Sequence, residues 1–90
     1  MAETVPIEAN FVEETAGDVP VLRFTGRLTL PRLGNISQRL ETLSTAPKQI
    51  DLSQVERLDT VGAWIVHTLS EKYGAEITGV NEDKAKLIGL

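Results

Sequence analysis

The chain has 90 residues, of which 41% are hydrophobic and 24% charged, with no cysteine and a formal net charge of −4. This length supports a single small domain with one compact core, so residues 1–90 are treated as one domain. The negative charge argues against nucleic acid as a partner, and the lack of cysteine excludes disulfides and thiolate metal sites.

No segment has the pattern of a membrane span or of a secretory signal. The longest run without a polar side chain, Val61–Val66, is far shorter than the roughly 20 apolar residues of a spanning helix. Residues 1–10 have neither the basic start nor the apolar stretch of a signal peptide. We therefore expect a cytoplasmic protein, and Leu90 is either its natural end or the end of a fragment.

The first part of the chain predicts an antiparallel pair of strands. Apolar and polar residues alternate over residues 7–12, which predicts a half-buried strand. Residues 17–20 contain a glycine, an aspartate and a proline and predict a turn. Alternation resumes over residues 21–25, with Leu22 and Phe24 on one face.

The rest of the chain predicts three helices and two more strands. A first amphipathic helix is expected around a stripe of apolar residues, namely Leu33, Ile36, Leu40 and Leu43. We then expect a strand over 48–53, a loop over 54–57, a helix from Thr60 or Val61 to Tyr73, a strand over 76–80 and a short helix after Asn81. Right-handed crossovers place the helices mainly on one face of a mixed four-stranded sheet. The fold class is therefore α/β, in the order β-β-α-β-α-β-α.

The second helix has an apolar face and an outward face when its residues are placed at about 100° intervals. The apolar face carries Val61, Gly62, Ile65, Val66, Leu69 and Tyr73. The outward face carries Thr60, Trp64, His67 and Glu71. We expect the only tryptophan to point outward, as an interface anchor would. The alternative is that Trp64 packs under a loop or against the last helix.

The residues Asp59, Thr60 and Gly62 lie where this second helix begins. We expect the Thr60 hydroxyl to cap the helix by accepting a hydrogen bond from a backbone N–H, while Asp59 orients the turn or competes as the cap. A hydroxyl at a helix N-terminus also lies where a phosphoryl group is favoured. Because Gly62 has no side chain, a partner's backbone can approach it closely.

Enzymatic function is not indicated. Asp51 and Asp59 lack an accompanying motif for acid/base catalysis, and His67 has no second metal ligand at a diagnostic spacing. The sequence contains no P-loop, dinucleotide fingerprint or nucleophile elbow. We therefore expect no catalysis, no metal site and no cofactor.

The segment IDLSQVERLDTVG, residues 50–62, resembles the signature of STAS domains. This family includes anti-sigma-factor antagonists, cytoplasmic tails of sulfate transporters and small subunits of lipid-trafficking ABC transporters. The similarity lies in the strand end at 50–53 and in Asp59-Thr60-Val61-Gly62 at the helix start, with GRL at 26–28 as weaker support. The resemblance implies a STAS-like fold.

Two classes of partner follow from this resemblance. Anti-sigma-factor antagonists are phosphorylated on the hydroxyl residue directly before the glycine, where this chain has Val61, so Thr60 is the remaining candidate phosphoacceptor. The Asp-Thr-x-Gly form is similar to the STAS component of Mla-type transporters, which maintain outer-membrane lipid asymmetry. There the threonine matched by Thr60 contacts the ATPase subunit, and some members are fused ahead of the permease.

The leading hypothesis is a non-catalytic module that docks on the ATPase of a lipid-transporting ABC transporter, next to the permease at the inner face of the inner membrane. Its expected task is to regulate or stabilise that ATPase. The predicted partner-binding residues are Asp59, Thr60, Val61, Gly62, Trp64 and His67. The rival hypothesis is an anti-sigma-factor antagonist in a phosphorylation-controlled partner-switching pathway. A small-molecule-binding module is a third alternative, for which no residue marks a site.

Overall fold

A mixed four-stranded sheet with the strand order β1-β2-β3-β4 is the scaffold of the chain. The computed structural model describes residues 9–30 and 35–89. The elements are β1 (Asn10–Ala16), β2 (Val19–Leu28), α1 (Ile36–Leu40), β3 (Gln49–Leu58), α2 (Thr60–Tyr73), β4 (Glu76–Thr78) and α3 (Glu82–Ile88). β1 is antiparallel to β2, whereas β2, β3 and β4 are parallel. The predicted α/β fold and order of elements are confirmed, and the strands add to the sheet in chain order.

One face of the sheet carries the hydrophobic core. The largest fully buried side chains are Phe24, Leu22, Leu28, Ile36, Ile50, Leu52 and Val66. They belong to one cluster that also contains Ile88 of α3, so all three helices contribute to the same core. The predicted packing of the helices on one face is therefore confirmed, as right-handed crossovers between sequential parallel strands require.

The first strand lies further along the chain than the predicted range 7–12. β1 continues through Ala16, and residues 1–8 lie outside the described residues. The acidic residues in the second half of β1 interrupt the apolar alternation from which a strand is predicted. Seven consecutive residue pairs with β2 nevertheless show that this half belongs to the strand. Pro20 lies inside β2 and pairs with Thr15, although it was predicted to lie in the turn. A proline is tolerated there because the position is near the start of the strand.

The first helix is shorter than its apolar stripe predicts. α1 has five residues, and Leu33 of the stripe lies outside the described residues, as do Pro31 and Gly34. The chain leaves the helix after Leu40, where the Thr42 hydroxyl donates a hydrogen bond of 3.0 Å to the Arg39 carbonyl. This local bond competes with continued helix.

The predicted loop over residues 54–57 is wrong, because β3 runs without a break to Leu58. The parallel pairing with β2 shifts register twice, once between Arg23 and Thr25 and once between Gly26 and Arg27. Each shift interrupts the apolar alternation from which strands are predicted. β4 in turn ends at Thr78 instead of residue 80. The predicted bounds of α2 and the short helix after Asn81 are confirmed.

The N-terminal turn of α2 lies very close to the end of β2. A Cβ atom built on Gly62 would collide with the carbonyl oxygen of Leu28 and would lie 3.0 Å from Cδ1 of Leu58. Gly62 is buried, so the backbone that approaches this glycine belongs to its own chain. The close approach that we predicted for a partner is therefore intramolecular.

Replacing Gly62 with alanine is expected to lower the free energy of unfolding by about 1–3 kcal/mol, because the new methyl group overpacks this contact. Without the contact, the same change would stabilise the helix by about 1 kcal/mol. Urea unfolding of Gly62→Ala measures the sign directly. Thr68→Ala, on the exposed side of α2, is the matched control and should stay within about 0.5 kcal/mol of the parent chain. A more stable Gly62→Ala variant would contradict the close packing.

Candidate functional site

Asp59 joins the start of α2 to the chain segment that follows β2. It is the N-cap residue of α2, and its Oδ1 accepts a hydrogen bond of 2.8 Å from the Gly62 backbone N–H. Its Oδ2 accepts a second bond, of 2.9 Å, from the backbone N–H of Leu30. Each carboxylate oxygen thus binds a different segment of the backbone.

The prediction that the Thr60 hydroxyl caps α2 is wrong. Thr60 is already the first helical residue, and the residue before it has the extended backbone of an N-cap, with φ −108° and ψ −175°. Adjacent Asp and Thr are both common caps, with Asp the stronger, and the Asp59 carboxylate in the cap position also reaches Leu30. The Thr60 side chain is exposed and lies on the rim of the groove between α2 and α3.

The hydrogen bonds to Asp59 favour its charged form. Burial by itself raises the pKa of the carboxyl group, but hydrogen bonds from backbone N–H groups, led by those of Gly62 and Leu30, together outweigh burial and hold the pKa below its ordinary value. Since the N-terminus of a helix also favours negative charge, the carboxylate suits this position at neutral pH. Asp59 is therefore a charged hydrogen-bond acceptor with a structural role. It lies at the corner where the chain segment after β2 meets the first turn of α2.

Asp51 has a separate structural role. Its Oδ1 accepts a bond of 2.8 Å from the Ser53 N–H, and its Oδ2 lies 3.1 Å from Nε of Arg23 on the neighbouring strand. Burial raises the pKa of Asp51, but the bonds from Ser53 and Arg23 more than offset this and lower it. Asp51 and Asp59 each bind groups of their own, so the geometry shows no shared acid/base pair.

Trp64 points away from the core, as predicted, and 65% of its surface is exposed. Leu30 and Leu87 are also large apolar residues with unusual exposure, at 62% and 44%. Leu30 is bound to the N-cap of α2, and Leu87 lies on α3 beside Trp64. The exposed Trp64 and Leu87 therefore line one groove, and the backbone of the exposed Leu30 is bound at the start of α2. Clusters of this kind on a small domain are typical of binding surfaces.

A shallow groove of about 200 Å³ separates α2 from α3. Its lining residues are Thr60, Ala63, Trp64, His67, Leu87 and Ile88. Ala63 and Ile88 are almost fully buried and form the floor, whereas Trp64 and Leu87 are exposed and form the walls. The groove thus has an apolar interior with a hydroxyl group and an imidazole at its rim. It can accept an apolar side chain from another polypeptide.

His67 contributes a polar group to this groove. Its side chain is 45% exposed, and its Nε2 lies 3.4 Å from Oε2 of Glu71, one helical turn away. A surface pair of this kind adds little stability. Within residues 9–30 and 35–89, no group of three His, Cys, Asp or Glu residues has the arrangement of a metal site.

Of the six predicted partner-binding residues, Asp59 is the N-cap of α2, and the other five lie in two different environments. Thr60, Trp64 and His67 line the groove, whereas Val61 packs partly against the core and Gly62 is buried. Val61 and Gly62 therefore shape the corner from beneath and present little surface to a partner.

Leu87 and Leu30 were missed by the sequence reasoning. The adjacent apolar residues Leu87 and Ile88 lie about 100° apart on a short helix, so only one of them can point fully into the core. The exposure of one of these two residues could therefore have been predicted from the sequence. Leu30 follows the second strand without any periodic pattern, and only the folded chain shows its proximity to Asp59.

Two comparisons with known proteins bear on the family of this chain. The sequence model of the family described as "Mlab, STAS domain" matches residues 11–87 of the chain. No curated protein is significantly similar to the chain in sequence. In the part of the chain that the structure describes, no helix combines the length and the hydrophobicity needed to cross a bilayer.

The lowered pKa of Asp59 predicts a dependence of stability on pH. The stabilisation is fully present above the unfolded-state pKa of about 3.9 and is lost as the pH falls through the lower pKa of the folded chain. The difference in unfolding free energy between the parent chain and Asp59→Asn should therefore be largest above about pH 4 and shrink towards pH 2. Urea unfolding across this range measures it. Glu76→Gln, at an exposed position, should follow the parent profile, and a difference for Asp59→Asn that is constant with pH would contradict the assignment.

Proposed function

Because this chain belongs to the STAS domain family, we propose that it is a non-catalytic interaction module that docks on the ATPase subunit of a lipid-transporting ABC transporter of the Mla type. Its task there is to stabilise or regulate the ATPase. The permease is the second partner, and the complex lies at the inner face of the inner membrane. Two features support this proposal: the description of the matching family and the Asp-Thr-x-Gly sequence at residues 59–62.

Among the features of the structure, the exposed Trp64 beside the groove is the single observation that carries the proposal. An indole that is 65% exposed leaves a large apolar area in water, and covering it on association gains roughly 25 cal/mol per Å². Tryptophan is also among the residues that most often dominate the energy of an interface. The adjacent Leu87 and the buried floor of the groove provide a place for a partner's apolar side chain.

The polar groups around the corner are consistent with a binding role that involves no catalysis. The Asp59 carboxylate already accepts hydrogen bonds from the backbone N–H groups of Gly62 and Leu30. Thr60 and His67 remain as polar groups at the groove rim. They can orient a docked partner, while Trp64 and Leu87 supply the apolar contact.

The rival function is an anti-sigma-factor antagonist that is controlled by phosphorylation of Thr60. The exposure of Thr60 is the observation in its favour. The geometry of the corner argues against it, because the Gly62 N–H that would receive a phosphoryl group at the helix start is bonded to Asp59. A phosphate on Thr60 would also lie beside the charged carboxylate of its neighbour.

Truncation of the exposed indole should weaken docking and leave the fold intact. For Trp64→Ala, we expect the Kd for the purified ATPase subunit encoded with this chain to rise about 30-fold or more, as for a central interface anchor. Thr60→Glu should also weaken binding, because it places a negative charge at the groove rim. Glu76→Gln, which changes an exposed residue at the start of β4, at the opposite edge of the sheet, is the control. Retention of full affinity by a folded Trp64→Ala variant would refute the proposed surface.

The rival is tested separately by phosphorylation. The chain is incubated with ATP and the kinase of a partner-switching pathway encoded near it, and mass spectrometry then locates any phosphate. We expect Thr60 to stay unmodified. Stoichiometric phosphorylation of Thr60 together with release of a bound anti-sigma factor would favour the rival function.

A further inference from the structure

The end of β2 with the residues after it and the first turn of α2 are held together by three contacts, one of which uses the Asp59 side chain. Leu30 N–H donates to Oδ2 of Asp59 at 2.9 Å, and Asp59 N–H donates to the Leu28 carbonyl at 3.4 Å. The same carbonyl oxygen lies directly against Gly62. The side chain of Leu30 is nevertheless 62% exposed, so this segment is fixed through its backbone and leaves an apolar side chain in solvent.

We infer that Asp59 is a positioning residue of the docking surface, whose carboxylate holds Leu30 at the start of α2 so that both chain segments meet the partner. This inference rests on the proposed function and extends its surface from the groove to Leu30. The occupant is the same ATPase subunit, which contacts Leu30 with apolar side chains. Asp59 itself does not contact the partner in this arrangement, because both of its oxygens are used within the chain.

The two roles of Asp59 depend on different oxygen atoms. Its Oδ1 caps α2, and its Oδ2 binds Leu30. Asparagine caps helices as well as aspartate does, through its one carbonyl oxygen. The chain contains an example, because Oδ1 of Asn81 accepts a bond of 2.8 Å from the Lys84 N–H at the start of α3. The backbone at Asn81 has φ −89° and ψ −178° and is extended like that of Asp59. In Asp59→Asn the second oxygen becomes an NH2 group, which cannot accept from Leu30.

Amide hydrogen exchange followed by NMR tests this contact on the isolated domain. In Asp59→Asn, the Leu30 amide should exchange about 10-fold faster or more, since a bond to a charged acceptor is lost. The Gly62 amide should keep its protection, because the cap remains. Asn81→Ala is the matched control: it removes a cap of the same kind and should leave Leu30 protection unchanged. Unchanged exchange at Leu30 in Asp59→Asn would overturn the inference.

Binding to the purified ATPase subunit tests the consequence for docking. Asp59→Asn and Leu30→Ala should each raise the Kd about 10-fold, as loss of an interface contact does. Leu30→Ala keeps the backbone bond and removes only an exposed side chain, so it should fold normally. Full affinity in both variants, with Trp64→Ala defective, would overturn the role of Asp59 and leave the proposed function standing. No binding by the parent chain would overturn both, and the exchange result would then describe only the contact inside the domain.

Discussion

The carboxylate of Asp59 is the interaction on which the candidate site depends. It caps α2 through one oxygen and binds the segment after β2 through the other, so a single side chain fixes the meeting point of β2, β3 and α2. Its two bonds satisfy backbone donors that would otherwise need water or a ligand. The direction in which α2 leaves this corner determines where Trp64 lies.

The parallel arrangement of the central strands brings these parts together. Leu28 and Leu58 pair at the ends of β2 and β3. The chain segments that follow the two strands therefore begin at the same edge of the sheet. Gly62 lets α2 begin directly against that edge, because a side chain there would collide with Leu28. The core under α2 and α3 then holds the two helices at the spacing of the groove. The proposed docking surface therefore depends on the packing of several elements, and its residues do not form one continuous sequence motif.

The sequence predicts the parts of the site that depend on helix geometry alone. The outward position of Trp64 follows from a fixed rotation per residue, and the structure confirms it. The cap was assigned to the wrong residue because Asp59 and Thr60 are adjacent and both belong to the residue types that cap helices. The bond from Leu30 to the second oxygen of Asp59 spans 29 residues and is visible only in the folded chain. The extent of β3 was missed for a related reason, since its register shifts arise from pairing with β2.

The single tryptophan of this chain provides the most direct measurement. With 5-fluorotryptophan incorporated, the domain should give one 19F NMR resonance, from residue 64. The free domain should show strong broadening of this resonance by a soluble paramagnetic agent. In the complex with the unlabelled ATPase subunit, we predict a changed chemical shift and protection from the agent. A complex of the same stoichiometry in which the resonance keeps its shift and its broadening would contradict docking at this corner.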